Sequence, residues 1–326
     1  MLLSIPKQGC FAQNGFNFNT KGRTVITDIV TRELVEHAWK QGIAIPAFNI
    51  PYLPMVEPVV RALRDTNSVG MIMVARLEWE KFESGSLERV RDEYEKHKDE
   101  RHTVLHLDHI PVIDEDGLRV GYVGIIERAI KAGYGSVMVD GSRLPLEENI
   151  ACTREIVELA HVAGIPVEAE LGAVMGHETG PLPPYEELFA SGRGFTDPGE
   201  ARRFVESTGV DWLSVAIGNI HGAISQARHD RKVAARLNIE HLDRINRAAG
   251  VPLVLHGGTG IRKEYIIDGI RHGIAKINVA TATRQPYERA LAETGRVVEA
   301  QDAVYRTMLV LIREDLEVEN TVDRLF

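Results

Sequence analysis

Eight short apolar runs, separated by amphipathic segments that mostly stop at a glycine, predict an α/β protein: a TIM (β/α)8 barrel. Two further observations support that fold. The runs are hydrophobic almost throughout rather than alternating, as in parallel strands covered on both faces. Polar residues, three histidines among them, stand at the ends of the runs, where this fold gathers its active site. An open doubly wound sheet is the alternative, but no Gly-x-Gly-x-x-Gly opens the first helix.

Residues 1–25 carry scattered Gly, Asn and Gln and are expected to form an irregular arm. Leu34, Val35, Ala38 and Trp39 mark the first helical stripe, which stops at Gly42 before the strand 44–48. The runs 69–75 and 103–107 are the second and third strands. Ile125, Ile126, Ala129 and Ile130 lead to Gly133 and the strand 136–140. Ile150, Ile156, Val157 and Ala160 lead to Gly164 and the strand 167–171. Asp197-Pro-Gly-Glu200 reads as an N-cap, a first-turn proline and a capping-box glutamate. That helix ends near Gly209, before the strand 212–217. The remaining units run from Asn238 to Gly250 and the strand 252–255, then from Ile266 to Gly273 and the strand 276–280. Glycine fits the left-handed residue that closes a helix. The connection 172–196 is long, holds Gly and Pro, and follows Glu170 at a strand end, so it is expected to be an active-site lid. Val304, Met308, Leu309 and Ile312 continue a helical tail. The expectation is a single domain over 1–326: arm 1–25, barrel 26–290 and C-terminal helical tail 291–326.

At 326 residues the chain could hold two average domains or one large barrel. Its 44% hydrophobic and 26% charged content is ordinary for a soluble enzyme. The net charge of -9 argues against a nucleic-acid or anionic-membrane partner. Only Cys10 and Cys152 are present, so no disulfide framework is implied. The first residues are too short and polar for a signal peptide, and no apolar run approaches bilayer length. The cytoplasm is the expected location.

The barrel rule gathers the strand-end residues into one place: Asn49, Asp108, His109, Asp140, Ser142, Glu170, His221, His256, Asn278 and Thr281. Three histidines with an open position form a ligand pattern for a catalytic divalent metal. Asn49 and Asp140 read equally well as turn or capping groups. His106 is either a packed core residue or a support for the site. The remaining histidines, such as His102, lie in helices or polar connections and are expected to be mostly solvated. His221-Gly222 and His256-Gly-Gly-Thr-Gly260 offer backbone that can approach a phosphate closely, after the strands that usually bind it in this fold.

The stretches Ile45-Pro-Ala-Phe-Asn49, His106-Leu-Asp-His109, Gly135-Ser-Val-Met-Val-Asp-Gly-Ser142, Val167-Glu-Ala-Glu-Leu-Gly172, Val215-Ala-Ile-Gly-Asn-Ile-His-Gly222, Pro252-Leu-Val-Leu-His-Gly-Gly-Thr-Gly260 and Lys276-Ile-Asn-Val-Ala-Thr281 run in one order. Together they make the chain closely resemble the class II, metal-dependent ketose-bisphosphate aldolases, whose best-known members act on fructose 1,6-bisphosphate and tagatose 1,6-bisphosphate. The resemblance implies that His109, His221 and His256 bind zinc or another divalent metal, with Glu170 at an alternative metal position. It implies that Asp108 is the acid/base at the aldehyde oxygen and Glu178 the base toward dihydroxyacetone phosphate. Asn49 joins the substrate-binding set as a strand-end residue. Gly222, Gly258, Thr259, Asn278 and Thr281 match positions around that substrate and its phosphate. A monovalent cation and a homodimer or homotetramer are further implied. The chain departs from the family pattern at Gly176-His-Glu-Thr179, at Arg143 and after Gly222.

The reaction expected is reversible aldol cleavage of a ketose phosphate, with tagatose 1,6-bisphosphate or another sugar phosphate as the alternative to the fructose substrate. Three rivals stand against it. A Schiff-base aldolase needs a buried lysine, and Lys276 is expected to begin its strand rather than end it. A metal-dependent hydrolase would want more ligands on the first strand than Asn49. A non-catalytic sugar-phosphate-binding protein would not need Asp108 and the histidines.

Overall fold

The computed structural model describes residues 30–172, 184–219 and 235–326, so the arm 1–25 lies outside the described residues. Eight parallel strands close into a barrel in chain order. They are β1 Ile45–Asn49, β2 Gly70–Ala75, β3 Thr103–Pro111, β4 Ser136–Asp140, β5 Val167–Leu171, β6 Trp212–Val215, β7 Leu253–Leu255 and β8 Ile274–Val279. Nearly every strand residue is buried, as expected when helices cover the outside and side chains fill the inside.

Helices return the chain between strands. The crossing from β2 to β3 carries two, Arg76–Lys81 and Leu87–His97. The connection after β5 is not irregular throughout: Tyr185–Ser191 is a helix, while 173–183 lies outside the described residues. Pro198–Thr208 follows, with the Asp197 carboxylate accepting from the N–H groups of Gly199 and Glu200. Gly42 and Gly133 close their helices in the left-handed region, where a Cβ would be strained. Helix Val297–Val310 packs on Thr281–Thr294 and on Val56–Asp65.

Two apolar clusters position the site. The larger lies between the strands' outward faces and the helices and includes Phe48, Ile72, Leu105, Leu107, Val137 and Leu213. The smaller fills the lower barrel: Ile45, Ala47, Met71, Val104, Trp212 and Ala275 sit toward strand starts. Leu34, Val35 and Ala38 of helix Thr31–Gln41 join them and close that end. Truncating a residue such as Leu34 to Ala would cost roughly 2–5 kcal/mol through lost transfer energy and the cavity left behind. With that end plugged by hydrocarbon, polar inward side chains concentrate at the strand ends.

Candidate active site and metal centre

The pairing of β3 with β4 slips between Leu107 and Ile110. Leu107 pairs with Val137 and Ile110 with Val139, so Asp108 and His109 together oppose the single residue Met138. This is a β-bulge, which bends a strand and re-aims its side chains. His109 takes a φ of 29°, rare for a non-glycine residue and costly by order 1–3 kcal/mol. A regular strand would send consecutive side chains to opposite faces. Here ligand atoms of Asp108, His109 and His256 all lie within 4.8 Å of one another.

Each histidine is oriented by a carboxylate. His109 donates Nδ1–H to Asp140 Oδ2 at 3.1 Å, and Asp140 in turn accepts from Ser142 Oγ at 2.6 Å. His256 donates Nε2–H to Glu168 Oε1 at 2.7 Å. Their remaining nitrogens, His109 Nε2 and His256 Nδ1, face each other at 2.6 Å. Carboxylates that hold one ring nitrogen and free the other for a metal are the usual support of metal-binding histidines. Glu170 Oε2 stands 3.3 Å from His256 Nδ1, and ligand atoms of His109, Asp140 and Glu170 also fall within 4.8 Å. The donor set therefore fits a divalent ion.

The electrostatics agree. Burial disfavours charge on His109, but Asp108, Asp140 and Glu170 outweigh it and raise the imidazole to about 10. Burial and neighbouring His109 push His256 well below its ordinary value, so it accepts the proton that His109 shares with it. A metal ion bound there would have to replace that proton, because ligating imidazole must be deprotonated. Burial and the Asp140 charge raise Glu170 to about 8. Asp140 is held far below the usual carboxylate range: its burial is outweighed by the His109 bond and charge.

Asp108 is buried and held at both oxygens by amides. Asn49 Nδ2 donates to Oδ2 and Asn278 Nδ2 to Oδ1, each at 2.9 Å. Asn49 is thus neither a turn nor a capping residue, whereas Asp140 both accepts from the Ser142 N–H at 3.0 Å, a turn contact, and orients His109. Two groups escaped the sequence reading. Glu78, just past the end of β2, folds back to accept from the Ala75 N–H and also bonds Asn49. Its burial and the nearby Asp108 charge raise it to about 8. Glu168 lies below His256, paired with Lys276 Nζ at 2.8 Å. β8 begins at Ile274, so Lys276 lies within the strand rather than at its start. His106, neutral through burial and the Lys276 charge, donates or accepts at Ser136 Oγ 2.8 Å away and lies 3.6 Å from Glu168. The signal for Glu168 and Lys276 is their spacing of two from Glu170 and Asn278 in apolar strands, which puts each pair on one face.

The predicted phosphate side is also polar at the strand ends. Thr259 Oγ1 is buried without a hydrogen-bond partner among the described residues. A Cβ on Gly258 would come within 2.8 Å of the Ile277 side chain and 3.1 Å of the Asn278 carbonyl, so only glycine fits there. Thr281 is buried at the first turn of helix Thr281–Thr294, directly after β8. Helix N-termini favour anions. Arg143 is exposed. His102 is buried beside Asp99 rather than solvated. His221, Gly222 and Glu178 lie outside the described residues.

The profile of the family described as fructose-bisphosphate aldolase class-II matches residues 29–324. The chain belongs to the class II fructose-bisphosphate aldolase family. A fructose-bisphosphate aldolase of Streptococcus pyogenes is 32% identical over 281 residues, 85% of this chain and 87% of that protein. A probable fructose-bisphosphate aldolase of Bacillus subtilis is 34% identical over 265 residues, 80% of this chain and 84% of that protein. The crystal structure of the YdjI aldolase from Escherichia coli K12 superposes with a TM-score of 0.70 at 30% identity, covering 89% of this chain and 98% of that one. As a class II aldolase the chain is a lyase on a TIM barrel, and its family is generally metal-dependent.

Proposed function

We propose that this chain cleaves a ketose bisphosphate such as fructose 1,6-bisphosphate, reversibly, to dihydroxyacetone phosphate and an aldehyde. The observation that carries the reading is the convergence of Asp108, His109 and His256 within 4.8 Å at the strand ends, with Asp108 held by two amides. His109 and His256, with His221 as the third ligand, would hold zinc or another divalent ion. Glu170 stands beside them. When bound, such an ion polarises the ketone of the substrate as a Lewis acid.

In cleavage, Asp108 takes the proton from the hydroxyl on the carbon that becomes the aldehyde. The adjacent carbon–carbon bond breaks, and its electron pair stays on the dihydroxyacetone phosphate half. Glu178 then delivers a proton to that carbon. Gly222, Gly258, Thr259, Asn278 and Thr281 would surround the phosphate half, a role that the unpartnered Thr259 hydroxyl supports. A monovalent cation at the phosphate, a homodimer or homotetramer and a cytoplasmic location complete the reading.

The deciding experiment incubates the zinc-supplemented protein with fructose 1,6-bisphosphate, tagatose 1,6-bisphosphate and ketose 1-phosphates, and assays dihydroxyacetone phosphate. Release from one or more of them supports the aldolase. Tight phosphate binding without release from any would favour the non-catalytic binding protein.

A further inference from the structure

Below the site, the inward side chains of β5, β6 and β8 form a closed polar network. Lys276 is fully buried among strands, yet its Nζ makes two short contacts. It donates to Glu168 Oε2 at 2.8 Å and to Asn278 Oδ1 at 2.7 Å. Each acceptor leads to a different functional group. Glu168 uses its other oxygen to accept from His256 Nε2 at 2.7 Å. Asn278 uses its nitrogen to donate to Asp108 Oδ1 at 2.9 Å.

We propose that Lys276 is a positioning residue that sets the proton acid/base Asp108 and the metal-facing imidazole of His256 together, through Asn278 and Glu168. The inference rests on the aldolase reading above, for the role of Asp108, and on the donor set alone for His256.

The chemistry of each link gives it direction. A carboxamide can turn over, exchanging its oxygen and nitrogen. Lys276 has only protons to offer, so it fixes the Asn278 oxygen toward itself and the nitrogen toward Asp108. Glu168 accepts from His256 on Oε1, and a buried carboxylate needs a positive partner on its other oxygen. Lys276 supplies that charge, and Trp212 Nε1 adds a bond to the same oxygen at 2.8 Å. His256 then carries its proton on Nε2 and presents Nδ1 toward His109. Asn278 Nδ2 lies 3.1 Å from His256 Nε2, a contact between two donors. Asn278 is therefore held by Lys276 and Asp108, not by His256. A lone buried ammonium serving only stability would not need both branches to end at the reactive groups.

The test compares the full chain with Lys276→Met and with Lys276→Met/Glu168→Gln. The single variant leaves Glu168 buried without its counter-charge and can fail to fold. The double variant removes both charges at nearly constant shape, so it carries the test in that event. Zinc affinity of the stripped protein is measured by competition with a chromogenic chelator, and kcat and KM by cleavage of the substrate found for the wild type. The expected result is a cooperatively unfolding double variant with zinc bound 10–100-fold more weakly, as for other supports of metal ligands. Its kcat at saturating zinc should fall at least ~10-fold, because Asp108 is misplaced, with a smaller rise in KM, because Asn278 also borders the phosphate half. Wild-type zinc affinity in the folded double variant would overturn the His256 branch, and wild-type kcat the Asp108 branch; either result overturns the coupling. If the wild type binds zinc but cleaves nothing, the aldolase reading fails, and the zinc comparison still decides for or against Lys276.

Discussion

Asp108 and His109 are consecutive in the chain, yet both put a ligand-type atom within 4.8 Å of His256. The bulge opposite Met138 and the left-handed backbone of His109 make this possible. One strand end therefore supplies both the proposed acid/base and a metal-type ligand, and their separation is set by the backbone rather than by two independent loops. The 2.6 Å approach of His109 Nε2 to His256 Nδ1 is held by the proton they share, in the place that a metal ion could take over.

Zinc should accordingly bind the folded chain and stabilise it. At about 100 times its Kd, a ligand that binds only the folded state adds about 2.7 kcal/mol. Thermal unfolding with and without zinc is expected to show that gain in the wild type and to lose most of it in His109→Ala and His256→Ala. Equal zinc stabilisation in both variants would place the metal elsewhere.

Asn49 is expected to act through Asp108. Asp108→Ala should lower kcat for cleavage by about 10²–10⁴-fold, the usual worth of a general acid–base group. Asn49→Ala should cost less, since Asn278 still holds the other Asp108 oxygen. In the double variant the two losses should not multiply, because groups acting as a unit are non-additive. A full product of the two losses would show that Asn49 touches the substrate independently.

Glu78 predicts a pH dependence of stability. Its carboxyl is raised from 4.5 to about 8 in the folded chain. Between those values the unfolded chain has lost this proton and the folded chain keeps it. The folded state then binds more protons, and stability falls as pH rises, by up to about 1.4 kcal/mol per pH unit from this group. Glu78→Gln keeps an oxygen for the Ala75 N–H but cannot ionise. Denaturant melts from pH 5 to 8 should decline less steeply in the variant than in the wild type. Parallel declines would remove Glu78 as the cause.

The eight strands were legible because both their faces are covered, which leaves continuous apolar runs such as Val137 to Val139 between polar ends. Strand-end residues followed from the fold rule. The bulge was not legible, because it is a shift of register against β4 and no local composition in His106-Leu-Asp-His109 encodes a partner strand. Glu78 was hidden for another reason. Arg76-Leu-Glu-Trp-Glu-Lys81 has the composition of a solvated helix, and only its return onto the Ala75 N–H buries that carboxyl. Lys276 and Glu168 were legible in principle. Each stands two residues before a predicted site residue, and period-two spacing in a covered strand turns both inward.

Lys276 also decides between the two chemical routes to aldol cleavage. It is the one buried lysine among the described residues, and its Nζ lies under the site beside Asn278. Position alone would suit an imine-forming amine. Its surroundings do not. An imine needs a neutral amine with a free path to the ketone. The Lys276 nitrogen is committed to the Glu168 carboxylate at 2.8 Å and to the Asn278 oxygen at 2.7 Å. Glu168 is itself held ionised: its burial is outweighed by the charge and hydrogen bond of Lys276 and by the Trp212 bond. The side chain is wholly enclosed, with Asp108 and His256 above its two acceptors. Borohydride added during turnover should therefore leave the protein mass unchanged, and activity should survive once the reductant is removed. Chelation, by contrast, should abolish cleavage, and zinc should restore it. A mass increase equal to the reduced substrate, located on Lys276, would move the chain to the imine mechanism and reverse the role assigned to this residue.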